Sequence, residues 1–153
     1  MTRSEERIRE QLLHSISEAA CTVGEGRAAS VALLDEPSGE LVFVAASGET
    51  ADDVQGARFP CTSGVAGEVL RTGRALFVGD LSHDPRFARD IAIASGYEPD
   101  ALAVVPVRRD DEVIGVIEVL DPSHGESLLA PLEILAAHAA ATLDVSAALF
   151  ARG

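Results

Sequence analysis

The amino-acid sequence predicts an α+β domain built on one antiparallel sheet. Two pairs of apolar runs are each joined by a short polar turn, as in β-hairpins, and a helical period of apolar residues marks both ends of the chain. Shorter elements lie between the two hairpins. We therefore expect the terminal helices on one face of the sheet and the middle helices and loops on the other.

The first helix is indicated by five apolar residues that recur with the period of a helix. They are Ile8, Leu12, Ile16, Ala19 and Val23. The pattern predicts about five turns that end near Gly24. Two apolar runs, 28–34 and 41–46, then predict the first hairpin, because Pro37 and Gly39 between them favour a turn.

The middle of the chain predicts short elements. Residues 47–56 are polar and predict a loop, and a short strand follows at 57–60. Ser63 and Gly73 mark the two ends of a short helix, because a serine hydroxyl can cap the first turn and glycine adopts the left-handed conformation after the last. Another short strand is expected at 75–78.

A further helix is predicted to start at Asp84 and Pro85. Aspartate suits the N-cap, and proline suits the first helical position because its missing N–H is not needed there. We expect this helix over residues 85–95, with Gly96 ending it.

The second hairpin and the last helix complete the pattern. Residues 101–107 and 113–120 predict strands around a charged turn, and residues 127–151 predict a long helix. This helix is apolar on two sides. One stripe contains Leu132, Leu135, Ala139, Leu143 and Phe150, and the other contains Ile134, Val145 and Leu149. Because both sides have to be buried, we expect a homodimer through the first and last helices.

Composition and charge exclude several classes of function. The chain has 153 residues without an internal repeat, which fits one domain over residues 1–153. Its net charge is -13 and its 12 basic residues are all arginine, so a lysine nucleophile is excluded. The acid excess disfavours nucleic acids and membrane surfaces as partners. The charged amino terminus does not have the pattern of a signal peptide, and no apolar run is long enough to cross a membrane, so a cytoplasmic location is expected.

Several motifs in a fixed order resemble the GAF domain family. They are Gly64-Val-Ala-Gly-Glu-Val-Leu-Arg-Thr-Gly73, Val78-Gly-Asp80, Asp84-Pro-Arg-Phe87, Pro106-Val107 and Ile114-Gly-Val-Ile-Glu-Val119, followed by the Leu/Ala-rich last helix. The resemblance covers about residues 8–150. It implies a profilin-like antiparallel sheet of five or six strands with helices on both sides, and a regulatory role. It does not imply one ligand, since family members bind cyclic nucleotides, haem, bilins or small metabolites, and some bind nothing known.

Known subtypes of the family lack support in these residues. The cyclic-nucleotide type carries a sequence signature that contains lysine, and this chain has no lysine. The bilin type needs a pocket cysteine, often beside a histidine, but Cys61 is followed by threonine. The free methionine sulfoxide reductase type uses cysteines near the fifth strand, and residues 97–107 contain none. Haem is not expected either, because His83 is best explained as a loop histidine before a helix cap. The cofactor therefore stays unknown.

Five residues in the middle of the chain are candidates for ligand binding. They are Phe77, His83, Arg86, Phe87 and Tyr97. His83 and Arg86 would stand, with a helix N-terminus, at the rim of the pocket that the resemblance implies, and the three aromatic residues could line it. No catalytic group and no metal site is predicted, because the histidines lack a nucleophile motif and the acids near His83 match no metal-binding spacing.

The sequence thus predicts a non-enzymatic sensor or regulatory domain. A small molecule would bind between the sheet and residues 80–100 and would act on a signalling partner through the helical dimer interface. Two alternatives stay open. One is a ligand-free dimerisation or protein-interaction module, and the other is a redox enzyme that uses Cys21 and Cys61, which requires the two sulfurs to come within disulfide distance.

Overall fold

The computed structural model describes residues 2–49, 51–87 and 98–151, except for the side chains of residues 53 and 144–151. It contains the helices α1 (Arg3–Gly24), α2 (Ala51–Val54), α3 (Gly64–Thr72) and α4 (Leu129–Ala151), the strands β1 (Ala28–Asp35), β2 (Glu40–Gly48), β3 (Arg58–Pro60), β4 (Leu76–Val78), β5 (Leu102–Arg109) and β6 (Glu112–Leu120), and 3₁₀ turns at Leu81–His83 and Glu126–Leu128.

The six strands form one sheet in the order β3-β2-β1-β6-β5-β4, and every neighbouring pair is antiparallel. The two predicted hairpins are β1–β2 and β5–β6. They lie side by side because β1 also pairs with β6, which joins them into one sheet. The predicted α+β class, with a sheet of five or six strands, is confirmed.

The two faces of the sheet carry different helices, as predicted. On the face that we call the terminal face, α1 and α4 pack on the strands through residues such as Ile16, Leu132 and Leu143. On the opposite face, which we call the middle face, Val65 and Val69 of α3 are buried against the sheet. Two separate apolar cores therefore enclose the sheet, and a side chain's position along its strand decides which core it enters.

A bulge in β2 changes which of its side chains reach the middle face. Val31 pairs with Ala45 but Ala32 pairs with Phe43, so Val44 is an extra residue. Phe43 consequently packs in the core of the middle face, whereas Ala45, two residues later, packs in the core of the terminal face. The apolar run at residues 41–46 did not reveal this shift.

The helix ends follow local chemistry, with some differences from the prediction. Helix α1 starts earlier than its apolar stripe suggests, because Thr2 and Glu5 form a capping box with each other's backbone N–H groups. Ser63 occupies the N-cap of α3 as predicted, but its side chain forms no capping hydrogen bond. Gly73 ends α3 in the left-handed conformation at φ 71°, as predicted.

Two other short helical elements were not predicted. Residues 51–54 form α2 inside the segment predicted as a loop, and residues 81–83 form a 3₁₀ turn. The helix predicted at residues 85–95 lies largely outside the described residues. Its first residues form a turn, in which the Phe87 N–H donates to the Asp84 carbonyl at 3.1 Å.

Candidate ligand site on the middle face

A glutamate lies in the centre of the middle face. In β6, Ile117 and Val119 enter the core of the terminal face, so Glu118 between them points to the middle face. Glu118 pairs with Ser30 of β1 on one side and with Val104 of β5 on the other. Sequence reasoning did not single it out, although one charged residue among the apolar residues of a central strand was a usable signal.

The neighbours of Glu118 are small or apolar. The same row across the sheet runs from Ala46 through Ser30, Glu118 and Val104 to Leu76. Ser30, Ala46 and Val104 are buried. The carboxyl group is thus set into an apolar surface, and only short side chains stand beside it towards β2.

The Glu118 carboxyl has one weak polar partner among the described residues. The Ser30 hydroxyl donates to Glu118 Oε2 at 3.5 Å, which is at the outer limit for a hydrogen bond. In the described part of the chain no cation pairs with this carboxyl. Burial therefore dominates and raises its pKa to about 7, while the Ser30 hydrogen bond lowers it to a smaller extent.

His83 is highly exposed, and its imidazole contacts polar side chains of the same turn. Its side chain is 84% exposed, and Nδ1 lies 2.7 Å from Asp80 Oδ2. The Ser82 hydroxyl donates to Asp80 Oδ1 at 2.6 Å. The pKa of Asp80 is lowered first by the Ser82 hydrogen bond and then by that of His83. This cluster holds the turn after β4 together.

Arg86 is held by Asp84. The Arg86 guanidinium donates through Nε to Oδ1 at 3.0 Å and through Nη2 to Oδ2 at 2.7 Å, and its backbone N–H donates to Oδ1 at 2.8 Å. The guanidinium hydrogen bonds are the largest cause of the lowered pKa of Asp84. The donors that were expected to face an anion are thus largely used within the turn.

The predicted aromatic residues lie on different faces. Phe87 packs against the core of the middle face, whereas Phe77 packs against the core of the terminal face. Tyr97 lies outside the described residues. The structure therefore brings Phe87, but not Phe77, to the side of the sheet that carries Glu118.

The two cysteines are separated by the sheet. Cys21 packs against the core of the terminal face, and its thiol donates to the Gly26 carbonyl at 3.3 Å. Cys61 packs against the core of the middle face. Both are free, and burial raises the pKa of Cys21. The approach of the two sulfurs that a redox pair requires is absent from this fold.

The described residues contain neither a metal-binding cluster nor a membrane-spanning helix. Among the residues that the structure describes, no three His, Cys, Asp or Glu side chains come together as metal ligands. None of the described helices combines the length and apolar character that crossing a bilayer requires.

The chain is similar to known proteins in sequence and in fold. Over 65 residues it is 34% identical to the dual 3',5'-cyclic-AMP and -GMP phosphodiesterase 11 of Drosophila melanogaster, a match that covers 42% of this chain and 4% of that protein. The chain thus spans only a small part of the length of this curated relative.

Solved structures match over nearly the whole fold. The GAF domain of a phosphoenolpyruvate-protein phosphotransferase from Coxiella burnetii has a TM-score of 0.81 at 24% identity, over 93% of this chain and 86% of that one. The free methionine-R-sulfoxide reductase of Neisseria meningitidis, solved with its substrate, has a TM-score of 0.74 at 22% identity, over 95% of this chain and 86% of that one. The family model of the GAF domain matches residues 7–144. This chain therefore belongs to the GAF domain family, whose members are sensor and regulatory domains.

Proposed function

We propose that this GAF domain is a non-enzymatic sensor that binds a small molecule on the middle face, over Glu118. The observation that carries the proposal is a carboxyl in the centre of that face that pairs with no cation among the described residues, which we call the isolated carboxyl. A buried ionisable group without a charged partner destabilises a fold, and an apolar residue of similar size would serve packing better. Such groups are typical of binding sites, where a ligand supplies the missing partner.

Three observations disfavour catalysis. GAF domains are typically non-catalytic, and the two cysteines lie on opposite faces of the sheet. The Asp80, Ser82 and His83 cluster is not a catalytic triad, because Asp80 and Ser82 both contact the same imidazole nitrogen, Nδ1, at 2.7 and 3.0 Å. A triad requires the hydroxyl and the carboxylate at different nitrogens of the ring.

Transmission through a homodimer is the second half of the proposal. Ala130, Ile134, Ala137 and Ala141 are exposed on α4 at spacings of four, three and four residues, which form a stripe on one side of a helix. Ile134 is 61% exposed, and Ile8 of α1 is 45% exposed. Helices α1 and α4 pack side by side, so two copies could join their outer faces in a helical bundle. A signalling partner would respond to the geometry of this bundle.

A ligand-free dimerisation module is the second candidate. The exposed stripe on α4 favours it, because the stripe serves a dimer whether or not a ligand binds. The two candidates differ only in whether the middle face is occupied. A cytoplasmic location is part of both proposals and agrees with two cysteines that remain as free thiols.

Native mass spectrometry of the purified protein tests the sensor directly. We expect a species of twice the 15.9 kDa chain mass that carries an additional small-molecule mass. The Glu118→Leu variant should dimerise but lose that additional mass. Native protein that carries no additional mass, and whose melting temperature no member of a metabolite library raises, would refute the sensor and leave the dimerisation module.

A further inference from the structure

We propose that the ligand is a small organic cation with N–H donors, such as an ammonium, amidinium or guanidinium compound, and that Glu118 binds its charged group. This inference rests on the proposed function and names the class of its ligand. The charge of Glu118, its apolar surroundings and the short side chains beside it support this inference in turn.

The polar side chains on the central rows of the middle face provide hydrogen-bond acceptors. They provide no positive charge that would attract an anion. The row through Glu118 contains Ser30 as its other polar side chain, and the adjacent row runs through Gly48, Ala28, Leu120, Leu102 and Val78. These two rows contain no cationic side chain. An anionic ligand would therefore meet a carboxylate without a compensating positive charge.

Arg86, which lies just before Phe87 of the middle face, does not change that balance. Arg86 donates twice to the Asp84 carboxylate, so its charge is already neutralised locally. The Drosophila relative is named for its action on cyclic AMP and cyclic GMP, which are anions. For this chain, the isolated carboxyl points to the opposite charge.

A cationic N–H donor satisfies what Glu118 lacks. A carboxylate has two oxygens that accept hydrogen bonds, and an amidinium or guanidinium can donate to both at once. The Ser30 hydroxyl is only 3.5 Å from Oε2 and can turn its lone pairs to a further donor of the ligand. The net charge of -13 also draws cations towards the protein.

The side chains towards β2 suit a compact ligand group. Ala28, Ser30 and Ala46 occupy this part of the face and are all buried. None extends beyond one heavy atom from Cβ, whereas the part of the sheet under α3 contains larger residues such as Phe43 and Val116. The carboxyl thus borders the part of the face where side chains are shortest.

Binding should depend on pH in a way that identifies the carboxyl. A cation binds the ionised form, and the pKa of Glu118 is about 7 because of burial. Among the described residues, Ser30 of β1 is the polar group that acts on this carboxyl, and no titratable side chain of the adjacent β5 faces it. Affinity for a cation should therefore rise with pH up to about 7 and level off above it.

The experiment is an NMR titration with three small probes of similar size but different charge. They are methylguanidinium chloride, neutral N-methylurea and sodium methyl phosphate. We expect methylguanidinium to shift the backbone amide signals of Ser30 and Glu118 and to bind more tightly than the other two. Glu118→Gln should weaken its binding about tenfold or more, while Glu133→Gln, an exposed carboxylate on α4, should leave it unchanged. Below pH 7, affinity should fall about tenfold per pH unit.

Other results would overturn the inference without deciding the proposed function. Tighter binding of methyl phosphate or N-methylurea at Glu118 would refute the cationic class and leave a sensor with another ligand. No shift with any probe, or a shift with methylguanidinium that Glu118→Gln does not change, would refute the role of the carboxyl. Whether the protein retains any ligand is decided separately by native mass spectrometry.

Discussion

At the scale of single residues, Glu118 and Asp84 show opposite responses of a carboxyl to its surroundings. Glu118 is largely withdrawn from water and has no cation beside it among the described residues, so its neutral form is favoured and its pKa rises to about 7. Asp84 is bound by the Arg86 guanidinium, so its ionised form is favoured and its pKa falls. The first arrangement costs stability at neutral pH, and the second adds to it.

Glu118→Gln should therefore stabilise the protein at high pH. The folded pKa of about 7 exceeds the ordinary value of 4.5, so the wild-type free energy of unfolding falls as pH rises between these values. An amide of the same shape removes this loss, which amounts to at most about 3 kcal/mol. Urea unfolding at about pH 8 and about pH 5 should show a gain that is large at the higher pH and much smaller at the lower. Glu133→Gln serves as the control, and a gain that does not change with pH would contradict the assignment.

Asp84→Ala should destabilise the turn after the 3₁₀ segment. It removes the acceptor of the Arg86 N–H and of its guanidinium, at a cost of about 1 kcal/mol. Because the pKa of Asp84 is lowered, its contribution should be present at neutral pH and lost in acid. Thermal unfolding at both pH values measures this, with the exposed Asp52→Ala as the control. An equal loss at neutral and acid pH would mean that the ion pair contributes nothing.

At the scale of elements, the connection from α1 into β1 depends on a close approach to β6. A Cβ at Gly24 would lie 2.8 Å from Val119 Cγ1, and one at Gly26 would lie 2.4 Å from the same atom. The following Glu25 N–H donates to the Cys21 and Thr22 carbonyls with Glu25 in the left-handed conformation at φ 46°. Helix α1 can therefore cross the end of β6 only because side chains are missing at these two positions.

Gly26→Ala should consequently destabilise the fold by about 1–3 kcal/mol through overpacking against Val119. Gly79→Ala is the matched control, because its Cβ would meet Phe77 only at 3.4 Å, an ordinary contact. Chemical denaturation of both variants tests this. A loss in Gly26→Ala no larger than in the control would show that the chain bends away freely.

The elements that the sequence predicted well are those with a repeated pattern. The hairpins followed from apolar runs around turns, and α1 and α4 followed from their stripes, since these patterns extend over many residues. Helix α2 has four residues, too few for a period, and the β2 bulge changes which face each side chain reaches without a sequence mark. These two features could not be obtained from the pattern alone.

The candidate site was predicted less well for a physical reason. His83 and Arg86 were chosen for their chemistry, but each is bound to an acid two or three residues away. Such local pairs are visible in the sequence, yet whether they form depends on turn geometry. Glu118 was passed over inside an apolar motif, although its inward position follows from the alternation of β6.

At the scale of the whole molecule, the sheet separates the face proposed to bind a ligand from the face proposed to form the dimer. Glu118 lies on the middle face, and α1 and α4 cover the other. A ligand on one side would act on the helices through the strands, and β6, which pairs with both β1 and β5, is the most direct connection that the described residues offer. This requires that the ligand binds two arrangements of the dimer with different affinities.

Ile134→Asp should shift the protein from dimer to monomer. Ile134 is the largest exposed residue of the α4 stripe, and a charge there would be desolvated in a helical interface. Light scattering across a concentration series should show a dissociation constant raised about tenfold or more. Glu133→Gln, at the neighbouring exposed position, should behave as wild type. A wild-type monomer, or a variant that dimerises as tightly as wild type, would refute the interface.

The central claim is that the middle face holds an isolated carboxyl that a ligand can bind. The most direct measurement is the titration of the Glu118 side-chain carboxyl carbon by NMR, with the signal assigned by its loss in Glu118→Gln. The predicted midpoint is about 7, because burial favours the neutral acid and no cation of the described residues pairs with it. A midpoint near the ordinary value of 4.5 would mean that the group is hydrated or paired, and would contradict the site proposed on this face.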